Sequence, residues 1–284
     1  MEQLLSVNEL SKCYPNSEFE LRDISFEVNK GEAVAFIGKN GSGKSTTINT
    51  VVGNTLKDSG VIKFFGHEIL EDDFDYKNDV GVVFDTMKLP KKLHVKHIER
   101  LLQDMFRNWD SKTFWSYIEE FELPKDQKVD KFSRGMSMKL SMAIALSHHS
   151  KLLLLDEATA GIDASGREQI LEILEQLKEE GIGLIISSHI VEDLEYIADR
   201  LIFMRQGEIV MSIPKETLMN QYYIIETEED KYSSVPRELV HADRYHRDKV
   251  QALVSGKAEI EGINFEPIHT IDEVTKILMR GEIK

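Results

Sequence analysis

Three short stretches of the chain hold side chains suited to acting on a phosphate. The first, GKNGSGKST at 38–46, fits G-x-x-x-x-G-K-[ST] through Gly38, Gly43, Lys44 and Ser45. Glycines let the backbone curl so that several N–H groups point into one anion site, and a helix opening just after adds its positive end. Asn40, Gly41, Ser42 and Thr46 belong to the same phosphate-cradling run. Lys44 is expected to reach the β- and γ-phosphates of a nucleotide and Ser45 to ligate Mg²⁺. The second stretch, KLLLLDEA, ends an apolar run on Asp156 and Glu157. In P-loop enzymes an acid at such a strand end holds Mg²⁺, often through water. The next residue points the other way along a strand, which places Glu157 to polarise a water attacking the γ-phosphate. The third, FSRGMSMKL at 132–140, is ambiguous alone. It reads as a helix start with packing methionines, or as half of a nucleotide site offered to another subunit.

The elements that must position these residues follow from the pattern around them. GEAVAFIG (31–38) reads as a buried strand running into glycine, and GVIKFFG (60–66) and VGVVFD (80–85) as further strands. From Leu93 to about His149 the apolar spacing becomes helical, as in HIERLLQDMF and TFWSYIEEFEL. A helix around 165–180, a strand at GLIISS (183–188), a helix at 190–199 and a strand pair turning at Gln206–Gly207 complete the alternation. Strands alternating with helices imply an α/β sheet with crossover connections, interrupted by a helical subdomain at about 93–149. After Pro214 the texture changes. QYYIIETEEDKYSSV and DKVQALVSG read as strands and TIDEVTKILMRG as a helix, so 214–284 is expected to be a small α+β appendage. Within it, ETEED (226–230) reads as a solvated loop.

Bulk properties narrow the class. With 284 residues, 41% hydrophobic and 30% charged, a packed core is expected rather than disorder. Thirty-five basic against fifty acidic residues leave a net charge of −15, which argues against a nonspecific grip on nucleic acid. The single cysteine, Cys13, allows no internal disulfide and suits a reducing cytosol. The N-terminus lacks the basic region of a secretory signal, and no apolar run reaches 18 residues, so a membrane role would come through a partner.

Taken in order, these motifs resemble those of the nucleotide-binding subunit of an ABC transporter, over about residues 1–213. The resemblance implies a P-loop NTPase of ABC ATPase type, a mixed-sheet core with an inserted helical subdomain. Tyr14, in LSKCYPN, matches the aromatic that stacks on adenine, or is an ordinary turn tyrosine. AGID (160–163) resembles the loop that communicates across the dimer, with Asp163 as its acid. His189, in SSH, stands where the switch histidine contacts the γ-phosphate. FSRGM resembles the signature usually written LSGGQ, with Ser133 and Gly135 matching and serving the ATP of a partner subunit. Arg134 and Met136 depart from it; Arg134 faces either phosphate or solvent. Asp85 stands where the family usually has a glutamine that ligates Mg²⁺ and senses the membrane subunit. It reaches the metal through water or is a plain strand-end acid.

What the resemblance implies is a catalytic set of Lys44, Glu157 and His189 and a metal set of Ser45, Asp85 and Asp156, with ATP and Mg²⁺ as cofactors. Two copies, or one copy and a related subunit, would close head to tail around two Mg·ATP. They would power a polytopic membrane permease from the cytoplasmic face of the cell membrane, without nucleic acid. The signature variant, Asp85 and an appendage near 70 residues resemble exporters of drugs or of antimicrobial and amphipathic peptides. An importer ATPase is the alternative with the same chemistry. A soluble ABC ATPase acting on nucleic acid or ribosomes fits less well. Only about 110 residues separate the phosphate loop from the acidic strand, without sustained heptads. A kinase or GTPase would leave FSRGM and SSH unexplained.

Overall fold

In the computed structural model the described residues are 2–15, 17–70, 73–87, 89–90, 92–258 and 260–284. The chain opens with β1 (Gln3–Cys13), β2 (Glu20–Asn29), β3 (Ala33–Ile37) and α1 (Lys44–Val51). β4 (Ser59–Phe64), β5 (His67–Glu68) and β6 (Val80–Val83) follow. Three helices come next, α2 (Val95–Met105), α3 (Ser111–Glu120) and α4 (Arg134–Leu146). Alternation then resumes with β7 (Leu152–Asp156), α5 (Ala164–Glu179), β8 (Gly183–Ser187), α6 (Val191–Ile197), β9 (Arg200–Arg205) and β10 (Glu208–Pro214). The remainder holds α7 (Lys215–Gln221), β11 (Tyr222–Thr227), α8 (Glu229–Tyr232), β12 (Val240–His246), β13 (Lys249–Ser255), β14 (Phe265–Pro267), α9 (Ile271–Arg280) and β15 (Glu282–Ile283).

The central sheet has the order β10-β9-β3-β8-β7-β6 and is parallel except for the β9–β10 hairpin. Every residue of β3, β7 and β8 is buried. That explains their continuous apolar runs, because both faces of the sheet are covered. Val34, Phe36, Leu152, Leu154 and Ile185 pack toward the antiparallel sheet β2-β1-β4-β5 and α1. Their neighbours Ala35, Leu153, Leu155, Leu184 and Ile186 pack toward the helices. Each such leucine or isoleucine contributes roughly 1.5–3 kcal/mol on burial. The two layers thus clamp the strands whose carboxyl ends carry the residues expected to meet phosphate.

Differences from the sequence reading are local. The strand expected over 80–85 stops at Val83, leaving Phe84 and Asp85 beyond the sheet edge. ETEED is not a solvated loop: Glu226 and Thr227 close β11, with Thr227 buried, and Glu229 and Asp230 open α8. The strand expected through Val235 therefore ends at Thr227. The Gln206–Gly207 turn has φ of 51° and 82°, the left-handed pair that matches hairpin twist. Residues 214–284 build the antiparallel sheet β14-β11-β13-β12-β15. Their helix α9 packs into the main core: Ile271, Val274 and Ile277 share one apolar cluster with Ile37, Leu201 and Phe203. Among the described residues no helix is long and apolar enough to cross a membrane.

Candidate active site

The carboxyl ends of β3, β7 and β8 open on a cleft of about 470 Å³. Its wall includes Asn40, Gly41, Lys44, Ser45, Glu157 and His189. The loop after β3 turns tightly because two glycines permit it. A Cβ on Gly38 would lie 2.4 Å from the Met204 carbonyl oxygen, and Gly43 opens α1 at φ 117°. Lys44 is buried, and its Nζ donates to the carbonyl oxygens of Gly38 at 2.8 Å and Lys39 at 3.4 Å. Burial pushes its ammonium below the ordinary lysine value, with Glu157 and Asp156 pulling the other way. A buried cation satisfied only by carbonyls is arranged to receive an anion. Ser42, also buried, leaves its Oγ without a hydrogen-bond partner among the described residues.

Asp156 lies directly behind Ser45. Its Oδ1 accepts from Ser45 Oγ at 3.0 Å and from Ser187 Oγ at 2.6 Å. Burial raises its carboxyl above the ordinary value; the two hydroxyls oppose this, while Asp85 and Glu157 add to it. Among the described residues no cluster of three or more His, Cys, Asp or Glu is set to hold a metal. The available donors are a few oxygens, Ser45, Asp156 and, on the cleft wall, Asp85. That set fits a hard cation that keeps several waters and takes the rest of its ligands from phosphate.

Glu157 adopts φ 56°, a left-handed conformation that costs a non-glycine residue about 1–3 kcal/mol. Its N–H donates to the Ser187 carbonyl at 3.0 Å and lies 3.2 Å from Ser187 Oγ, which over-determines the backbone. The consequence is that its carboxylate meets His189. Oε2 lies 2.5 Å from Nδ1 and accepts from the His189 backbone N–H at 3.3 Å. A second tie sits behind this pair. Thr159 Oγ1 donates to buried Asp193 Oδ2 at 2.6 Å, and Arg167 Nε is 3.2 Å from Oδ1. Burial raises the Asp193 carboxyl, against Thr159 and Arg167. It links the turn after Glu157 to the helix after His189. Asp163 caps α5, accepting from the Gly166 N–H at 3.0 Å.

The signature stretch starts α4. Ser133 caps it by accepting from the Met136 N–H at 3.1 Å, which leaves the hydroxyl proton free to donate elsewhere. Gly135 allows the close approach of the Asp163 turn: a Cβ there would lie 3.2 Å from the Gly161 carbonyl oxygen. Neither Ser133 nor Gly135 lines the cleft around Lys44, whereas Arg134 does. The Arg134 side chain is exposed and makes no hydrogen bond or ion pair among the described residues. Tyr14 is half-buried with Lys12 Nζ 5.7 Å from its ring centre, and it does not line the cleft. Phe19, five residues on, does. Phe19, Ser187 and Asp193 are the site-proximal residues that the sequence did not single out. The aromatic in a turn after YPN was the one available signal.

Residues 21–160 match the family profile described as ABC transporter. The chain is 33% identical to the lantibiotic transport ATP-binding protein SrtF of Streptococcus pyogenes, over 73% of this chain and 90% of that one. It is 26% identical to the bacitracin transport ATP-binding protein BcrA of Bacillus licheniformis, over 98% of this chain and 94% of that one. Among solved structures, an ATP-binding subunit of an ABC transporter superposes with a TM-score of 0.70 at 27% identity, covering 76% of this chain and 91% of that one.

Proposed function

The chain belongs to the ABC transporter family as an ATP-hydrolysing subunit, and from that premise we propose that it powers export of antimicrobial or amphipathic peptides through a separate polytopic permease. The observation that carries the mechanism is the Glu157–His189 contact held over the phosphate loop. Export is supported by relatives named for lantibiotic and bacitracin transport.

ATP is the substrate, its phosphates cradled by residues 38–46 with Lys44 against the β- and γ-groups. Phe19 on the cleft wall offers an aromatic face to adenine, and Tyr14, which the family resemblance puts in that role, lies off the wall. Mg²⁺ would be held by Ser45 and, through water, by Asp156 and Asp85; when bound it neutralises charge on the phosphates. Glu157 orients and takes a proton from the attacking water. His189 fixes that carboxylate in place and contacts the γ-phosphate. Ser133 and Gly135 do not line this cleft; as the family signature implies, they serve the ATP of a second subunit, a copy of this chain or a related one. Closure would then depend on γ-phosphate contacts, and their loss on hydrolysis would open the dimer. Asp85 also lines an adjoining groove of about 460 Å³ with Phe84, Met87, Phe132 and Met138. A permease segment seated there would be felt at Asp85, on the cytoplasmic face of the membrane.

The test is affinity capture from gently solubilised native membranes, using tagged Glu157→Gln protein with ATP. Turnover should fall about 10²–10⁴-fold, and a polytopic membrane protein should be recovered with a closed, ATP-loaded dimer. Unchanged turnover would remove Glu157 from the mechanism. Recovery of soluble or nucleic-acid partners only would overturn the transport role.

A further inference from the structure

The last turn of a helix ends in carbonyl groups that have no partner within it. In α9 these groups are met from the nucleotide site. The Gly281 N–H closes on the Ile277 carbonyl at 2.8 Å. Beyond that, Met279 O accepts from Lys39 Nζ at 3.3 Å, and Lys39 is the second residue of the phosphate loop. Leu278 O and Gly281 O accept from Arg205 Nη1 at 3.3 and 2.5 Å. Arg205 ends β9, and two residues later the Gly207 N–H donates to Ser42 O at 2.9 Å, within the same loop. Two cations at a helix C-terminus also suit its negative end. Fit at this point is tight: a Cβ on Gly281 would lie 2.1 Å from the Asp243 carbonyl oxygen.

The other end of α9 is tied as well. The Ile271 N–H, in the first turn, donates to Glu195 Oε1 at 2.5 Å. Glu195 belongs to α6, the helix entered directly after His189. Between the two ties Ile271, Val274, Ile277 and Leu278 are fully buried. One helix, about 15 Å long, therefore joins the loop under the phosphates to the element behind the histidine.

We propose that α9 is a positioning element of the nucleotide site, holding the phosphate loop through Lys39 and Arg205 and the histidine segment through Glu195, so that ATP binding and α9 docking stabilise each other. This rests on the reading of 38–46 as the ATP phosphate site. Coupling of this kind is reciprocal, so it can be read at either end.

The experiment is hydrogen exchange on the full chain with and without Mg·ATP, beside ATP titrations of Arg205→Met and Arg205→Lys. ATP should slow exchange at 38–46 and also at 277–281. Arg205→Met should weaken ATP binding on the order of five- to tenfold and uncouple 277–281 from ATP, with Arg205→Lys restoring part of both. The wild-type comparison decides the matter even if a variant fails to fold. Protection confined to 38–46, with 277–281 exchanging at its nucleotide-free rate, overturns the positioning role and leaves the ATP site standing. If 38–46 itself is unmoved by ATP, the ATP reading falls and the positioning role with it.

Discussion

The two ends of the central sheet are built from the same strands and treat charge in opposite ways. At the amino ends the charges are closed off. Glu32 pairs with Arg200 at 2.9 Å, Asp199 accepts from the Ala33 N–H at 2.8 Å and faces Lys178 at 3.2 Å, and Lys151 faces Asp79 at 3.2 Å. At the carboxyl ends they are left open. Among the described residues Lys44, Asp85 and Asp156 form no ion pair, and Glu157 has only His189. Open charge at the carboxyl ends of parallel strands is where an α/β sheet takes its ligands. The difference teaches that, on the proposed function, the amino end serves stability and the carboxyl end serves chemistry, and substitutions can separate the two.

The largest effect should come from the open end. Lys44→Met is expected to lower ATP turnover about 10²–10³-fold, while thermal unfolding without nucleotide stays unchanged or shifts upward, because a buried, unpaired cation is gone. A large drop in unfolding temperature alongside would show Lys44 to be structural and break the comparison. Next comes the closed end. Arg200→Met removes the partner of Glu32, which keeps its bonds from the Asn29 backbone and side chain. A loss of about 1 kcal/mol is expected, read as roughly 2–4 °C in unfolding, with turnover within twofold of the parent. A tenfold fall in turnover would mean the ends are not separable.

The smallest effect is a difference between two pH values at His148, buried before β7, with Nδ1 3.1 Å from the Asn78 carbonyl oxygen and its ring stacked on Phe106 at 4.2 Å. Burial lowers its imidazole below the ordinary value. A histidine held neutral in the fold gives stability that is present above about pH 6.5 and is lost as pH falls through the lowered value. His148→Phe should therefore cost about 1 kcal/mol at pH 7.5, for the lost hydrogen bond, and less at pH 5. Urea unfolding at both pH values measures this; parallel curves would show that His148 does not titrate with folding.

How legible these ends were in the sequence depended on whether the signal is local. The placement of residues 38–46 and of Asp156–Glu157 was readable because each group is consecutive in sequence and follows or ends a buried strand. β1 and β2 were not. Leu4, Leu5, Val7 and Leu10 are buried but do not alternate, because register shifts and the left-handed Glu9 break the period. Ser187 and Asp193 gave no local hint, since their meaning comes from Asp156 and Thr159, each some thirty positions away. The family pattern points to Tyr14, and only the folded chain puts Phe19 on the cleft wall. The docking of α9 on Lys39 spans 240 positions and lies beyond any pattern in sequence.

The left-handed backbone at Glu157 has a consequence for how the chain tolerates change. Glycine or asparagine would sit there with less strain, so on the role proposed for Glu157 either substitution should favour folding and cost hydrolysis. On that role the glutamate is held against the preference of its own backbone, and the tension is a standing condition of activity.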